Sequence, residues 1–235
     1  VISTENDNVD ELIQKAKSTT GLNGIDLAST VSTDKSYKWA STHDQKKYNV
    51  AVIDCGIKLN QLRILQKLGC DVTVFPSSTK IEEILKINPQ GIFISNGPGD
   101  PAGANKITEL VKDLILTKIP LFGICFGHQM LSLALGADSF KLKFGHRGGN
   151  QPIQDLRTSK VEIASHNHGF CIDADSIDKK NLEITHLNLN DNTVAGIKHK
   201  HQPLFCVQYH PEAAPGPRDP YYLFEEFIDL IEDYK

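Results

Sequence analysis

A thiol at the junction of an apolar strand and a helix is the sharpest chemical feature of this chain. In Leu121-Phe-Gly-Ile-Cys-Phe-Gly-His-Gln129 an apolar run ends at Cys125, with Gly123 and Gly127 on either side of it. This is the G-x-nucleophile-x-G pattern, in which small residues let the backbone turn sharply and project the side chain from the carboxyl edge of a sheet. The positive end of the helix that follows would favour the anionic sulfur. A small cysteine packed in a Gly-rich turn satisfies the same pattern, so the elbow needs chemical partners to count as a site.

A thiolate nucleophile works with a base or an imidazolium, and Val207-Gln-Tyr-His-Pro-Glu212 supplies one at the end of a predicted strand. Period-two geometry puts His210 and Glu212 on the same side. Glu212 would then orient the imidazole while His210 exchanges protons with the thiol and a leaving amine, as a Cys-His-Glu triad. A His beside a Glu is more often a surface pair, and this one gains force only from coexisting with the elbow. The third element is Ser95-Asn-Gly-Pro-Gly-Asp-Pro101, which also follows a predicted strand. Acyl transfer builds charge on a carbonyl oxygen, and the backbone N–H groups of Gly99 and Phe126 are the natural pair to hold it. An ordinary Pro-Gly turn reads the same way. A phosphate loop is disfavoured, because no Lys-Ser or Lys-Thr follows.

Hydrophobic periodicity indicates the elements that must position these residues. Strands are expected over 49–54, 71–76, 91–95 and 120–124, alternating with helices over 59–68, 79–87, 105–117 and 127–135, a pattern that implies a parallel sheet covered on both faces. After Gly136 the runs become short and β-like, over 140–144, 161–164, 182–186, 194–198 and 204–209, with a turn at Asn190-Asp-Asn192. An amphipathic helix from Pro220 closes the chain. Residues 1–46 are polar apart from one helix over 8–17 and read as a leading segment or linker, with 47–235 as one α/β domain. The sequence begins at Val1 and its only methionine is Met130, which suggests a section of a longer protein.

Composition excludes several classes. With 40% hydrophobic residues the chain can bury a sizeable core, and 25 Lys plus Arg against 29 Asp plus Glu leave no basic stripe for nucleic acid. No apolar run reaches the roughly 18 residues of a membrane span, so the expected location is inside the cell, in the cytoplasm or else in an organelle. Five widely separated cysteines without a C-x-x-C pair suggest neither a disulfide framework nor a zinc site. The pairs His166/His168 and His199/His201 could each face one side of a strand, but no Cys or carboxylate lies at a metal-site spacing. No metal ligand is assigned, and His128 is left outside the triad.

Together the three motifs resemble the class I, or triad, glutamine amidotransferases. The match sharpens to the small subunits of carbamoyl-phosphate synthetases through Ser95-Asn-Gly-Pro-Gly-Asp-Pro101, Phe144-Gly-His-Arg-Gly-Gly-Asn-Gln-Pro152, Asn167-His-Gly-Phe170 and His210-Pro-Glu-Ala-Ala-Pro-Gly-Pro217, with Asp54-Cys-Gly-Ile-Lys58, Asn60 and Arg63 in support. The resemblance implies a flavodoxin-like fold with a mixed, mostly parallel sheet flanked by helices. It implies Cys125 as nucleophile, His210 as acid and base and Glu212 as orienter. Gly97, Gly99, Phe126, Gln129, Asn167, Gly169 and Phe170 would hold glutamine. Hydrolysis of glutamine to glutamate and ammonia would need no cofactor. ATP and magnesium would belong to the partner, a large subunit or fused synthetase domain that makes carbamoyl phosphate from bicarbonate for arginine or pyrimidine synthesis. Two residues depart from the usual pattern: Phe126 replaces a leucine, and His166 replaces a glutamine. The family's separate N-terminal domain, which contributes a serine to the glutamine site, has no match here. Alternatives are an amidotransferase serving anthranilate or guanylate synthesis, a free-standing γ-glutamyl hydrolase, or a non-catalytic module that regulates a synthetase. The segments at 145–152 and 215–217 favour the carbamoyl-phosphate branch.

Overall fold

The computed structural model describes residues 3–39 and 47–234; residues 1–2 and 40–46 of the leading segment, and Lys235, lie outside the described part. Strand β2 (Tyr48–Asp54) shows how the layers arise. Val50 and Val52 point to one face, where they pack with helices α3 (Leu59–Lys67) and α7 (Tyr222–Asp233); Ala51 and Ile53 point to the other, with α5 (Asn105–Leu116) and α6 (Phe126–Ala134). A strand buried on both faces must be apolar at nearly every position, as this run is.

The other strands are β1 (Tyr37–Lys38), β3 (Cys70–Pro76), β4 (Gly91–Ile94), β5 (Leu121–Ile124), β6 (Ser139–Asp155), β7 (Val161–Ile172), β8 (Leu182–Asn188), β9 (Val194–His199) and β10 (Leu204–Val207). The remaining helices are α1 (Val9–Ser18), α2 (Ala28–Val31) and α4 (Ile81–Leu85). The strands form one sheet in the order β1-β3-β2-β4-β5-β10-β9-β8-β6-β7. From β3 to β10 neighbours run parallel; β1 and the strands beyond β10 run antiparallel. This is the expected mixed α/β sheet with a parallel block at its centre. In register, Ile92 of β4 pairs with Leu121 of β5, which pairs with Leu204 of β10. The three strands therefore end side by side, and the segments at Ser95, Cys125 and Gln208 leave the sheet at adjacent points on one edge.

An aromatic cluster fixes that part of the sheet to α7. Phe93 and Phe122 meet edge to face at 5.4 Å, Phe122 stacks on Phe205 at 4.4 Å, and Phe224 lies 5.7 Å from Phe122. Such pairs contribute about 0.5–1.5 kcal/mol each beyond area burial.

Strands β6 and β7 are much longer than the runs over 140–144 and 161–164, and form a ribbon of 17 and 12 residues. Gly145, Gly148, Gly149 and Pro152 look like turn residues in the sequence. The ribbon accommodates them by register shifts between Lys141 and His146 and between Gly148 and Gln151. The leading segment has two parts. Helix α1 buries no residue, whereas residues 22–33 cross the carboxyl edge: Gly24 N donates to Asp100 Oδ2 at 2.7 Å, Asp100 N donates to the Ile25 carbonyl at 3.0 Å, and Thr33 N donates to Asp54 Oδ2 at 2.9 Å. Among the described residues no helix is long and apolar enough to cross a membrane.

Candidate active site

Cys125 occupies the turn from β5 into α6 at φ 55° and ψ −100°, outside the regions a non-glycine residue normally adopts. Such a conformation costs on the order of 1–3 kcal/mol and persists only where its surroundings fix it. Two restraints are visible. Cys125 N donates to the Val207 carbonyl at 2.8 Å, tying the turn to β10. A Cβ on Gly127 would lie 2.2 Å from the Ile94 carbonyl oxygen, so only glycine lets the first turn of α6 approach β4 this closely.

His210 follows β10 and donates its backbone N–H to the Ser165 carbonyl at 2.8 Å, which docks it on β7. Its Nδ1 lies 2.8 Å from Glu212 Oε1, with both side chains buried. Burial alone would lower the imidazole's pKa, but the charges of Glu212 and Cys125, and hydrogen bonds to both, raise it. For Glu212 burial works upward and is outweighed by His210 and by Lys58, so its carboxyl is held low. Lys58 Nζ reaches Glu212 Oε1 at 3.0 Å and the Ala213 carbonyl at 2.6 Å, and Asn60 Nδ2 donates to the Glu212 carbonyl at 2.6 Å. Both shifts thus favour a protonated imidazole paired with an ionised carboxylate beside Cys125.

A cavity of about 660 Å³ opens in front of Cys125. Gly97, Gly99, Gln129, Asn167, Gly169, Phe170 and His210 all line it. Glu212 stands behind His210. The Phe126 side chain is buried in the core, so only its backbone N–H, at the first position of α6 and without an intrahelical acceptor, is available for an oxyanion. Lys58, Lys141 and Arg147 bring positive charge to the cavity, and Leu22 and Leu27 of the leading segment form part of its wall.

Two roles were not legible from motifs. Gln208 Nε2 donates to Cys125 Sγ at 3.7 Å, and Gln208 Oε1 accepts from Gln129 Nε2 at 3.0 Å, which also donates to the Phe170 carbonyl at 2.8 Å. The period-two spacing of Gln208 and His210 was the signal that would have found it. Lys58 stood out only as part of a motif. Its reach to Glu212 depends on β2 lying two strands from β5, which a linear reading does not give.

The remaining histidines fall into distinct environments. His128 Nδ1 contacts Cys206 Sγ at 3.1 Å inside the protein, and burial, with the nearby His168, lowers its pKa to about 3. His199 Nδ1 accepts from the backbone of His201 and Gln202 in a turn. His166 and His168 are buried and touch each other, and His146, which no sequence motif singled out as a ligand, joins them.

Comparison with known proteins bears on the whole chain. The family described as glutamine amidotransferase class-I matches residues 51–230. The carbamoyl phosphate synthase small chain of Syntrophotalea carbinolica is 46% identical over 99% of this chain and 64% of its own length. That of Staphylococcus epidermidis is 50% identical over 97% and 61%, and that of Salmonella typhimurium 47% identical over 95% and 62%. The chain therefore spans about three fifths of the length of these curated relatives. Among solved structures, a putative GMP synthase component from Thermoplasma acidophilum superposes with a TM-score of 0.69 at 23% identity, covering 82% of this chain and 96% of that one. A glutamine amidotransferase from Thermotoga maritima gives 0.57 at 17% identity, covering 82% and 86%. At these identities the structural likeness concerns the fold.

Proposed function

We propose, from the premise that this chain belongs to the class I glutamine amidotransferase family, that it hydrolyses glutamine through Cys125, His210 and Glu212 and supplies the ammonia to a carbamoyl-phosphate synthetase large chain. The observation that carries the reading is the convergence of Cys125 and His210 on one cavity, with Glu212 and Lys58 behind the imidazole.

In this mechanism the Cys125 thiolate adds to the carbonyl carbon of the side-chain amide. The oxyanion lies between the N–H groups of Gly99 and Phe126, where preorganised donors act without the reorganisation water would require. His210 gives its proton to the departing nitrogen; the C–N bond breaks, ammonia leaves and a glutamyl thioester remains. His210 then takes a proton from water, hydroxide adds to the thioester, the C–S bond breaks and glutamate departs. Gln208 and Gln129 hold the sulfur side of the cavity. Lys141 and Arg147 give it the charge that suits an α-carboxylate, and Asn167, Gly169 and Phe170 form the opposing wall. The volume falls within the range of small-molecule sites.

The names of relatives near 50% identity support carbamoyl phosphate as the product of the partner, with bicarbonate, ATP and magnesium used there. The likeness to a GMP synthase component extends only to the fold and does not favour that acceptor. The reading is tested by an electrophilic ketone analogue of glutamine. One equivalent should attach to Cys125, identified by peptide mass mapping, and excess glutamine should protect it. Labelling that ignores glutamine, or falls on another cysteine, would contradict the assignment.

A further inference from the structure

The antiparallel register of β6 and β7 sets His146 opposite His168 and Gly148 opposite His166. Alternate residues of a strand share a face, so His166 and His168 project together and His146 meets them from the neighbouring strand. Ring centroids lie 5.7 Å apart for His146 and His166, 4.9 Å for His146 and His168, and 5.2 Å for His166 and His168. One ligand atom from each lies within 4.8 Å of the others, a convergence that no other group of three such side chains makes among the described residues.

For two of the three rings, His168 and His146, the outer nitrogen is held as that of a metal ligand is. His168 Nδ1 donates to the Phe170 carbonyl at 2.8 Å, which leaves Nε2 with its lone pair facing His166 Nδ1 at 2.9 Å. His146 Nε2 donates to Asp191 Oδ2 at 2.7 Å, so Nδ1 carries the lone pair, which faces Asn188 Nδ2 at 3.4 Å and would have to exchange that contact for the ion. A ring N–H fixed on a carboxylate or a backbone carbonyl is the usual support for an imidazole that ligates a metal. His166 Nε2 is buried and has no hydrogen-bond partner. His166 and His168 also line the cavity in front of Cys125.

We infer that His146, His166 and His168 form a binding site for a divalent ion of the zinc class, with a fourth coordination position open to the cavity. Three imidazoles suit zinc, and the absence of an oxygen set disfavours magnesium and calcium. Bonds of ~2.0–2.1 Å at tetrahedral angles place ligand nitrogens ~3.3 Å apart. The His166–His168 pair therefore needs to open by a few tenths of an ångström while His146 closes in. The ion takes the lone pair of His166 Nδ1, and the proton now shared there moves to the unpartnered Nε2. Asn167 lies between two ligands, so occupancy would fix the β7 wall of the cavity. This assignment does not depend on the glutaminase reading.

The test titrates chelator-treated protein with Zn²⁺ and with Co²⁺. One equivalent should bind and raise the melting temperature, and Co²⁺ should give four-coordinate d–d absorption without sulfur-to-metal charge transfer. His166→Gln and His146→Asn should each weaken binding at least 100-fold, Asp191→Asn about 10- to 100-fold, and Cys125→Ala not at all. No binding at micromolar Zn²⁺ overturns the proposal. So does a sulfur charge-transfer band in wild type, or full affinity in both histidine variants. Should those variants fail to fold, the Co²⁺ spectra of wild type and Cys125→Ala still decide.

Discussion

Lys58 Nζ lies 3.0 Å from Glu212 Oε1, the same oxygen that holds His210 Nδ1 at 2.8 Å. One carboxylate oxygen thus carries two cationic partners, while Oε2 is buried without a hydrogen-bond partner. Lys58 also anchors the Ala213 carbonyl, so a lysine from the turn after β2 fixes the whole His210–Ala213 turn. Lys58→Met should lower kcat for glutamine hydrolysis about tenfold with the fold intact. Glu212→Gln should lower it by about two to four orders of magnitude, because it removes the group that sets the imidazole tautomer. Wild-type kcat in Lys58→Met would reduce Lys58 to a packing role.

Gln129 donates to both Gln208 and the Phe170 carbonyl, which links the helix after Cys125 to the opposite wall of the cavity. In Gln129→Leu the Phe170 carbonyl loses one of its two side-chain donors and keeps His168, and Gln208 loses the donor that orients its amide toward sulfur. A net hydrogen-bond contribution is about 0.5–1.5 kcal/mol, so KM for glutamine should rise several-fold with a smaller change in kcat. Steady-state kinetics would show it, and an unchanged KM would remove Gln129 from substrate positioning.

Gly127→Ala tests the elbow's dependence on close packing. The added Cβ would lie 2.2 Å from the Ile94 carbonyl oxygen, and backbone cannot yield as a flexible side chain can. A loss of about 1–3 kcal/mol is expected from overpacking, measured by urea unfolding. Labelling of Cys125 should fall at the same time.

Buried histidines outside the cavity make the fold sensitive to acid. Burial lowers the pKa of His128 to about 3 and that of His186 to about 4, against 6.5 when exposed. The unfolded chain therefore takes up protons that the native state refuses. Stability is intact above pH 6.5 and declines as pH falls from there toward those lowered values. Each group contributes about 1.4 kcal/mol per pH unit in that window, so the two cost roughly 2–3 kcal/mol at pH 5.5. Urea unfolding of wild type and His186→Gln at pH 7.5 and 5.5 checks this. The variant should lose about half as much from these two groups, and equal losses would contradict the assignment.

Much of the fold was legible because its central strands are buried on both faces and its helices carry apolar stripes. Val50 to Ile53 and Leu121 to Ile124 announce themselves without knowledge of their neighbours. The β6–β7 ribbon was not, because Gly145, Gly148 and Gly149 mark turns locally and only pairing with β7 keeps them extended. The same limit applied to the site. Cys125, His210 and the Ser95–Pro101 loop sit at strand ends, where local pattern and position coincide. Lys58 meets Glu212, and His146 meets His168, only through sheet order and register, which a linear pattern does not encode.

If Cys125 cuts glutamine with His210 as its proton carrier, the most direct measurement is glutamate and ammonia release from glutamine by wild type and Cys125→Ala, each with and without a carbamoyl-phosphate synthetase large chain and ATP. Release by wild type should rise when the large chain and ATP are added, and Cys125→Ala should give none above background in either setting. Equal release from both proteins, or none from wild type even with its partner, would contradict the assignment.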